Sequence, residues 1–503
     1  MPEFRRTRSA RGFLRASVAA GIAALAPLPA QAAVVAPGVE ELAASPASPA
    51  RIPVIVWLRE RVDLEALRIG SARPGERRAA LRSRLVRELR NAADRAGGPL
   101  RDLLARHGVP DVEPLWLINA LALALPTPLL EQVSRRPEVE RITLDATISL
   151  PAPGAAVATT AGWNLSLVGA PDLWEAGFTG QGVVVATMDT GADPAHPDLA
   201  ASFRGGSNSW FDPYGTHASP SDLDGHGTQS LGLIVGGSAS GTPIGMAPGA
   251  QWIAAKIFDD AGQASLSGIH LGFQWLLDPD GDPDVDDAPD IVNGSWDLGA
   301  VGVCDDEFQS DVYVLEAAEI LVVLSGGNYG PAASTSVSPA NGTGSLAVGA
   351  VDQFTNVAGF SSRGPSACDG GVYPDLAAPG ANVVTTDLTF GGIFPDSYVT
   401  VSGTSFAAPH VSGALALLKS AKPAASANEL EDALRSSAVD LAALGLDNDS
   451  GWGLIDVTAA HQILMATPVP SLSAWGRGLS AALMILLVFA RHPGSFRAGL
   501  RDR

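Results

Sequence analysis

The run VVVATMD at residues 183–189 decides the fold class, because it is a continuous apolar stretch of strand length that ends in a carboxylate. Three comparable runs follow at residues 252–258, 320–328 and 345–351, and helix-like stretches alternate with them. Strands that are apolar along their whole length are typical of a parallel sheet covered by helices on both faces. The sequence therefore predicts an α/β fold with a doubly wound, mostly parallel sheet, whose chemistry gathers at the carboxyl ends of the strands.

Polar residues at these predicted strand ends and helix starts form a candidate catalytic set. TMDTGADPAHPDL places Asp189 at a strand end, and DLDGHGTQSLGLIVGG places His226 before an apolar helix. LSGGNYGP places Asn328 after glycines, and SGTSFAAPHVSG places Ser405 before an alanine-rich segment. A serine hydroxyl becomes a useful nucleophile when a base accepts its proton and an acid orients that base. Donors must also face the oxyanion that develops on the attacked carbonyl, and these four residue types supply all four roles.

Each of the four residues taken alone also has a structural interpretation. A serine such as Ser405 is a favourable helix N-cap, and Asp189 can cap as well. His226 can be a hydrogen-bonded loop histidine, and Asn328 can simply form a turn. The neighbouring glycines fit either tight turns or the close approach of a substrate backbone. Only the joint occurrence of the four motifs favours catalysis.

Over about residues 163–465, these motifs resemble those of the subtilisin-like (subtilase) serine endopeptidases. The matching segments are DTG, GHGT, GGN, GTSFAAPHVSG, FSSRGP (360–365), PDLAAPG (374–380) and GWGLIDV (451–457). The resemblance implies that Asp189 orients the imidazole of His226, the general base and then general acid. It implies that Ser405 attacks the peptide carbonyl while the Asn328 amide and the Ser405 backbone N–H hold the oxyanion. No redox or organic cofactor is expected.

The resemblance also identifies a substrate-binding region. Ser295 and Trp296 match the family's substrate-binding edge strand, and Gly326 and Gly327 precede the oxyanion asparagine. Asp297 departs from the pattern, because a glycine is common at this position. A carboxylate there either favours a basic residue beside the cleaved bond or points to solvent.

Two further details refine the resemblance. Gln229 stands where many relatives have a second histidine after GHGT, a position outside the triad. The wording IVNGSW is most similar to the bacillopeptidase F-like branch, in which a cysteine pair resembling Cys304 and Cys368 forms a disulfide. The residues alone leave two free buried thiols as the alternative, although an oxidising compartment would permit pairing.

Charge divides the 503-residue chain unevenly. Residues 1–150 carry 22 Lys and Arg against 16 Asp and Glu, a net of +6, and residues 151–503 carry 11 against 37, a net of −26. An acidic main part argues against nucleic acid as a partner, since that binding rests on Lys and Arg contacts to phosphate. A basic N-terminal part is suited to dock on it.

The segment 51–150 predicts a small β-α-β-α-β domain, with strands at residues 54–58, 115–125 and 139–150 and helices at residues 76–106 and 127–136. An α+β domain in this place is similar to the subtilase propeptide, an intramolecular chaperone and inhibitor. A retained binding domain is the alternative. An Ala/Pro/Ser-rich linker is predicted at residues 33–50, and a cleavable connector at residues 151–162, before the catalytic domain at residues 163–466.

Both ends of the chain carry targeting patterns. A basic start, an apolar stretch at residues 16–28 and AQA at residues 30–32 predict a signal peptide over residues 1–32. Residues 467–503 resemble the IPTL-type C-terminal sorting tails of Gram-negative bacteria, with an apolar core at residues 479–490 and four arginines from Arg491 onward. A docked amphipathic helix is the alternative for this tail. The chain is thus expected to be exported to the periplasm, cell surface or exterior, and the tail pattern predicts a membrane anchor at its C-terminus.

The acidic segment DPDGDPDVDDAPD at residues 278–290 raises the question of structural calcium, because alternating carboxylates offer the oxygen ligands that this ion prefers. It is not an EF-hand loop, since Pro283 and Pro289 stand where Gly and Glu are required. Asp278, Asp280 and Asp282 are the candidate ligands, and a solvated acidic surface is the alternative.

Together these patterns predict an exported, self-processing serine endopeptidase that acts on proteins or peptides and binds its own propeptide. The alternative from another functional class is a catalytically silent surface protein of the same fold that binds peptides or partners.

Overall fold

The structure is a computed structural model that describes residues 33–64, 66–67, 78–151, 156–441 and 444–466. The predicted signal peptide (1–32) and sorting tail (467–503) lie outside these described residues. We call residues 33–151 the N-terminal domain and residues 156–466 the body.

One sheet and one long helix form most of the N-terminal domain. Its helices and strands are β1 (Val34–Val35), α1 (Pro37–Ala44), β2 (Arg51–Leu58), α2 (Arg78–Arg106), β3 (Val112–Leu115), β4 (Ala120–Pro126), a 3-10 turn (Thr127–Leu129), α3 (Leu130–Ser134), β5 (Val139–Leu144) and β6 (Thr147–Ser149). The five-stranded sheet has the order β1-β5-β2-β4-β3. β2 pairs antiparallel with both β4 and β5, and it lies at the centre because most of its residues are apolar and buried.

Two parts of this domain differ from the sequence prediction. The sequence predicts a linker at residues 33–50, but β1 pairs parallel with β5, and Val39 of α1 is fully buried in the core of the domain. Small apolar side chains in an Ala/Pro/Ser-rich segment are thus enough to add one strand and one helix. The predicted strand at residues 115–125 is instead a hairpin of β3 and β4, and Asn119 has a φ of 54° where the chain reverses.

The body contains the other helices and strands of the described residues. They are α4 (Trp163–Leu167), α5 (Ala170–Glu175), β7 (Val184–Asp189), α6 (Pro197–Ala200), β8 (Trp210–Phe211), α7 (His226–Val235), β9 (Gln251–Lys256), β10 (Gln263–Ser265), α8 (Leu266–Leu277), β11 (Ile291–Gly294), α9 (Gln309–Ala317), β12 (Leu321–Ser325), β13 (Leu346–Val351), β14 (Leu376–Pro379), β15 (Val383–Thr386), β16 (Tyr398–Val401), α10 (Thr404–Ala421), α11 (Ala427–Ser437) and α12 (Val457–Met465).

Seven parallel strands form the central sheet of the body, in the order β14-β13-β12-β11-β7-β9-β8. Helices cover both faces: Leu231 of α7 and Leu415 of α10 are buried in one core, and Phe273 of α8 and Leu315 of α9 in the other. The predicted doubly wound fold is confirmed. The chain turns from β7 to β8 and β9 on one side and later to β11 on the other, so β7 is a topological switch point, where such sheets bind ligands.

A disulfide joins Cys304, between β11 and α9, to Cys368, between β13 and β14. The predicted pairing is confirmed, and the alternative of two free thiols is wrong. Within the ranges that the structure describes, no helix combines the length and apolarity needed to cross a membrane.

Candidate active site

Asp189 and His226 meet at the carboxyl end of the central strand. Asp189 is the last residue of β7, and His226 is the first residue of α7. The Oδ1 atom of Asp189 accepts hydrogen bonds from Nδ1 of His226 (2.8 Å) and from the backbone N–H of Thr190 (2.7 Å). Both side chains are buried, with relative exposures of 1% for Asp189 and 5% for His226. This arrangement fixes the tautomer of His226, since a donating Nδ1–H leaves Nε2 as the free acceptor.

The pKa of His226 reflects two opposed effects. Burial acts to lower it, but the charge of Asp189 and its hydrogen bond to Nδ1 raise it, with smaller contributions from Asp224 and Asp222. The net effect raises the pKa of His226 above its ordinary value. The pair is thus built to stabilise a positive imidazolium.

Asp222 holds the start of α7 against the end of β7. Its Oδ1 accepts a hydrogen bond from the Thr190 hydroxyl (3.0 Å), and its Oδ2 accepts from the Thr228 amide (2.9 Å). Gly227 then lies so close to Gly191 that a Cβ on Gly227 would be 2.2 Å from the carbonyl oxygen of Gly191. Sequence reasoning missed Asp222 and Thr190, although an aspartate four residues before the histidine in DLDGHGT is a visible signal.

Ser405 is the second residue of α10, and the N-cap position belongs to Gly403. The interpretation of Ser405 as an N-cap is therefore wrong. Its hydroxyl instead donates to the carbonyl oxygen of Ser295 (3.2 Å), while the Ser295 hydroxyl donates to the carbonyl oxygen of Ser405 (2.8 Å). This reciprocal pair ties the start of α10 to the segment after β11. The first amides of a helix lack intrahelical partners, so the Ser405 N–H is available to a ligand.

Asn328 follows β12 and is oriented by the residue before Ser405. Its Oδ1 accepts hydrogen bonds from the backbone N–H (2.8 Å) and the hydroxyl (3.0 Å) of Thr404. With the oxygen held in this way, the Nδ2 group is the donor that remains for an external acceptor.

Gly326 and Gly327, predicted to bind substrate, are required by packing beneath the site. A Cβ on Gly326 would lie 2.9 Å from the carbonyl oxygen of Val348. Gly327 has a φ of 88°, and a Cβ there would lie 2.7 Å from the side chain of Val337. The two glycines therefore bring the backbone before Asn328 close to the neighbouring strand.

The predicted substrate-binding residues 295–297 lie just beyond β11, outside any strand. Ser295 contacts Ser405 as described, but the Trp296 side chain is fully buried against Phe273 and Phe308, with ring centroids 6.4 and 5.5 Å away. The aromatic side chain therefore fills the core and is not free to contact a substrate.

Asp297 is also buried. Its Oδ1 accepts hydrogen bonds from the Gly299 amide (2.7 Å) and the Tyr329 hydroxyl (3.2 Å). Burial raises the pKa of Asp297, and the two hydrogen bonds oppose this effect. The alternative that Asp297 points to solvent is wrong, since its relative exposure is 2%.

Strand β6 of the N-terminal domain pairs with β10, an edge strand of the body that the sequence did not predict. β6 is antiparallel to β10, with Ile148 opposite Ala264, and the Leu150 N–H donates to the carbonyl oxygen of Gly262 (3.1 Å). β10 is only three residues long and precedes α8 directly, so it carries too little pattern to be predicted.

Three carboxylates converge in the acidic loop at residues 278–290, but they are not the three predicted. Oxygen atoms of Asp278, Asp280 and Asp287 lie within 4.8 Å of one another. Asp282 stands apart from this trio, and its carboxylate accepts the backbone N–H of Asp284 (3.0 Å). Asp287 is brought in by a turn of the loop, which spacing alone does not reveal.

Comparison with known proteins agrees with this geometry. A sequence profile of the subtilase family matches residues 180–453. Bacillopeptidase F of Bacillus subtilis (strain 168) is 35% identical over 355 residues, which is 65% of this chain and only 24% of that protein. Subtilisin BL of Lederbergia lenta is 35% identical over 299 residues, which is 59% of this chain and 97% of that relative. An alkaline protease of Shouchella clausii is 35% identical over 327 residues, which is 64% of this chain and 76% of the relative. The chain belongs to the subtilase family.

Proposed function

We propose that this chain is a serine endopeptidase that hydrolyses peptide bonds of proteins through an acyl-enzyme on Ser405. The observation that carries this proposal is the buried hydrogen bond of 2.8 Å between Asp189 and His226 at the switch point of the sheet. The start of α10 packs against this pair, since the ring of Phe406, the residue after Ser405, lies 5.4 Å from the His226 ring. Relatives whose names describe proteases support the same activity.

In the first step, the Ser405 Oγ attacks the carbonyl carbon of the peptide bond, and its proton passes to Nε2 of His226. Because the hydroxyl donates to the Ser295 carbonyl in this structure, its hydrogen must turn away from that acceptor to reach the imidazole. Asp189 keeps Nδ1–H in place and stabilises the imidazolium, which then protonates the leaving amine. In the second step, water attacks the acyl-enzyme while His226 accepts its proton. The bond between the acyl carbon and Ser405 Oγ then breaks, the acid product leaves, and His226 returns the proton to Oγ.

The negative charge on the carbonyl oxygen develops next to two donors. We assign these donors to the Nδ2 group of Asn328 and the backbone N–H of Ser405. In subtilisin, where this effect has been measured, removing one such donor costs about 3 kcal/mol of transition-state stabilisation. The orientation of Asn328 by Thr404 supports the assignment, because it is present before substrate binds.

We further propose that the N-terminal domain is an inhibitory propeptide. Its strand β6 pairs with β10 of the body, and the addition of a strand to an exposed edge is a recognised mode of peptide binding. The carboxylate of Asp145 accepts hydrogen bonds from the amide (2.9 Å) and the hydroxyl (2.7 Å) of Ser267 at the start of α8. These contacts would direct the chain after Leu150 into the site.

The self-cleaved bond is expected between Leu150 and Val157. Leu150 is held on one side by Gly262 (3.1 Å), and the Val157 N–H donates to Oδ1 of Asn382 (2.6 Å) on the other. Both anchors are hydrogen bonds to the body, so we expect the cleaved bond in the segment between them. This interval narrows the range of about residues 150–162 that the family resemblance implies for self-cleavage.

Asp297 is proposed to favour a basic residue on the acyl side of the cleaved bond. Its carboxylate is buried two residues from the Ser295 carbonyl that contacts Ser405. A peptide library should show enrichment of Arg and Lys that Asp297→Asn removes. A library profile without that enrichment would exclude the proposal.

Export and anchoring complete the proposed function. A signal peptide over residues 1–32 would deliver the chain to the periplasm, cell surface or exterior of a Gram-negative bacterium, and residues 467–503 would sort or anchor it. Support comes from the sequence patterns and from the disulfide, which is typical of oxidising compartments.

Labelling with a fluorophosphonate, which reacts with activated serines, tests the proposed activity. The chain should be labelled, and Ser405→Ala and His226→Ala should abolish labelling. Ser207→Ala, a change at an exposed serine, is the matched control and should leave it intact. A parent chain that is not labelled would favour the silent binding protein instead, and labelling that survives Ser405→Ala would exclude Ser405 as the nucleophile.

A further inference from the structure

Lys256 is a buried lysine beside the candidate catalytic pair, and the proposed mechanism does not use it. It is the last residue of β9 and lies opposite Asp189 in the parallel pairing of β9 with β7. Its relative exposure is 1%. Lysine is almost never buried so completely without partners, because its ammonium group loses its hydration. The contacts of this ammonium group therefore show what its burial serves.

The ammonium group of Lys256 lies between two oxygen atoms of the body. Its Nζ donates to the backbone carbonyl oxygen of Thr190 (2.7 Å) and lies 3.2 Å from Oδ1 of Asp260. On the other side of Asp260, Nε2 of His217 lies 2.9 Å from Oδ2. Thr190 is fully buried, whereas Asp260 is partly exposed. The ammonium group thus connects the residue that follows Asp189 to the surface of the body.

The carboxylate of Asp189 depends on Thr190 for its orientation. Its Oδ1 accepts hydrogen bonds from His226 and from the Thr190 N–H, whereas its buried Oδ2 has no hydrogen-bond partner within the described ranges. Apart from the imidazole that it has to orient, the carboxylate therefore relies on the backbone of Thr190 in the part of the chain that the structure describes.

Thr190 is itself held on two sides. Its hydroxyl donates to Oδ1 of Asp222 (3.0 Å) and accepts the N–H of Gly227 (2.8 Å), and these contacts lead to α7. Its carbonyl accepts from Lys256, and this contact leads to β9. The residue after the catalytic carboxylate is thus fixed between the helix that carries the imidazole and the neighbouring strand.

Strand β9 and the residue after it anchor two successive peptide groups behind the carboxylate. The backbone N–H of Ile257 donates to the carbonyl oxygen of Asp189 (2.9 Å), and Lys256 donates to the carbonyl oxygen of Thr190. The first of these peptide groups includes the N–H that Asp189 Oδ1 accepts. Because the second is also anchored, the chain after Asp189 cannot rotate away from this direction.

We propose that Lys256 is a positioning residue for Asp189: its ammonium group, held by Asp260, fixes the backbone of Thr190, which aims the carboxylate at His226. Lys256 touches neither the substrate nor the reacting atoms. Its effect on hydrolysis rests on the proposed function, whereas its effect on the pair of Asp189 and His226 exists without catalysis.

Steady-state hydrolysis of a peptide by Lys256→Met tests the kinetic consequence. The change keeps an apolar stem but removes the donor, so kcat should fall at least about tenfold while KM stays within about twofold. Lys419→Met is the matched control, because Lys419 donates to the carbonyl oxygen of Ala425 (2.7 Å) in the same way but lies in the last turn of α10. It should leave both constants within about twofold of the parent. Equal losses of kcat in the two variants, or a rise in KM alone, would overturn the proposal.

Combination with Asp189→Asn separates positioning of Asp189 from an independent role. If Lys256 acts through Asp189, then adding Lys256→Met to the Asp189→Asn chain should lower kcat by less than about twofold further. An undiminished loss in that background would contradict the proposal.

The pKa of His226 gives a readout that needs no catalysis. It is measured by NMR titration of histidine-labelled Ser405→Ala with and without Lys256→Met, and His226→Gln assigns the signal. Burial lowers the pKa of His226 and Asp189 raises it above its ordinary value, so a misaligned Asp189 should lower it. Loss of the positive charge of Lys256 alone would raise this pKa, and a purely structural role would leave it unchanged. Either result would overturn the proposal, and a failure of Ser405 as nucleophile would leave the measurement intact.

Asp260→Ala covers the case in which Lys256→Met does not fold, because it changes a partly exposed side chain. It removes the carboxylate that holds the ammonium group in place, so kcat should fall at least about threefold with little change in KM. His217→Ala removes only the outer partner of Asp260 and should have a smaller effect. An unchanged kcat in Asp260→Ala, or equal losses in the two variants, would overturn the proposal.

Discussion

Asp189 and Asp278 are both nearly fully buried carboxylates with a positively charged or chargeable partner, yet their partners belong to different parts of the molecule. The partner of Asp189 is His226, which is the first residue of α7 and also lies in the body. The partner of Asp278 is Arg90, which lies in the N-terminal domain. The first pair stays together as long as the body is folded, whereas the second lasts only while the domain is attached.

The hydrogen bonds of the two sites reflect this difference. Asp189 Oδ1 accepts two well-aligned hydrogen bonds, and Asp222 braces the loop beside it. Asp278 has an ion pair without aligned hydrogen bonds, among the residues that the structure describes. A pair within one rigid unit, such as Asp189 and His226, suits proton transfer in every catalytic cycle. A pair across two units, such as Asp278 and Arg90, suits the single event in which the N-terminal domain is released.

Asp189→Asn tests the permanent pair and should have the largest effect. Loss of the negative charge removes the group that fixes the tautomer of His226 and stabilises its imidazolium, so kcat should fall by about 10⁴-fold. The pKa of His226, now raised chiefly by Asp189 against burial, should fall. Because the neutral imidazole is the active form, the acidic limb of the pH–rate profile should move from above pH 6.5 to lower pH.

Peptide hydrolysis measured across pH gives both results. Asp224→Asn is the matched control, since Asp224 caps the His226 backbone N–H (3.2 Å) and contributes less to its pKa. If Asp189→Asn and Asp224→Asn lose similar amounts of activity, Asp189 has no special role.

Arg82→Met tests the contacts between α2 of the N-terminal domain and the body, and it should have the next largest effect. Arg82 is 3% exposed, and it donates to Asp286 (2.9 Å) and to the backbone carbonyls of Ala318 (2.9 Å) and Pro289 (3.1 Å). Arg82 is buried but Asp286 is partly exposed, so the loss should be about 1–3 kcal/mol, below that for a fully buried pair. In the uncut Ser405→Ala chain, hydrogen exchange in α2 should accelerate accordingly.

The exposed pair of Arg87 and Asp284 gives the comparison for this test. Arg87→Met should leave hydrogen exchange in α2 close to that of the parent, because both partners are exposed and surface ion pairs contribute little to stability. Equal exchange in the Arg82→Met and Arg87→Met chains would mean that burial does not strengthen the docking of α2.

Asn328→Leu tests the proposed oxyanion donor. It should lower kcat by about 10²–10³-fold with little change in KM, because the donor acts on charge that exists only in the transition state. Steady-state kinetics on a peptide substrate measure both constants. A rise in KM with unchanged kcat would instead assign Asn328 to ground-state binding.

His270 forms a third buried pair of a histidine with carboxylates, here Asp311 and Glu307 in the body. It lies beneath the N-terminal domain, since the centroid of the Trp57 ring is 5.7 Å from that of its own ring. Burial opposes its charge, but Asp311 and Glu307 outweigh this effect and raise the pKa of His270 to about 9. Its contribution to stability is therefore complete below about pH 6.5, the unfolded value, and is lost as pH rises through about 9.

Urea unfolding of the Ser405→Ala chain at several pH values measures this loss. The free energy of unfolding should fall between pH 6.5 and 9 in the parent and stay flatter in His270→Gln. Parallel pH dependences in the two chains would mean that His270 is not charged in the folded protein. The predicted loss would show that His270 is charged when it is paired with Asp311 and Glu307, which lie in the body like Asp189 and His226.

Much of the body was predictable because its information is local. The apolar run ending at Asp189 and the glycines around His226 determine where a strand ends and a helix begins, and a parallel sheet brings such ends together. Four short motifs therefore predicted the residues of the candidate site, and the structure brings Asp189 and His226 into hydrogen-bond contact. The bracing residue Asp222 was missed because its role depends on which hydrogen bonds its two oxygens accept.

The contacts between the domains were beyond the sequence. The short strand β10 has no periodicity of its own and exists as a partner for β6. The approach of Asp287 to Asp278 depends on the path of a loop with alternating prolines and aspartates, and Arg90 reaches it from a helix almost 190 residues earlier. Charge asymmetry indicated that the two parts attract each other, but it did not indicate which residues meet.

Mass mapping of the termini of the chain and of its Ser405→Ala variant after purification under the same conditions tests the central claim most directly. We predict that the chain is cut between Leu150 and Val157 and that Ser405→Ala leaves this segment intact. An uncut chain, or a Ser405→Ala variant cut at the same bond, would contradict the account of Ser405 as the nucleophile that releases its own inhibitor.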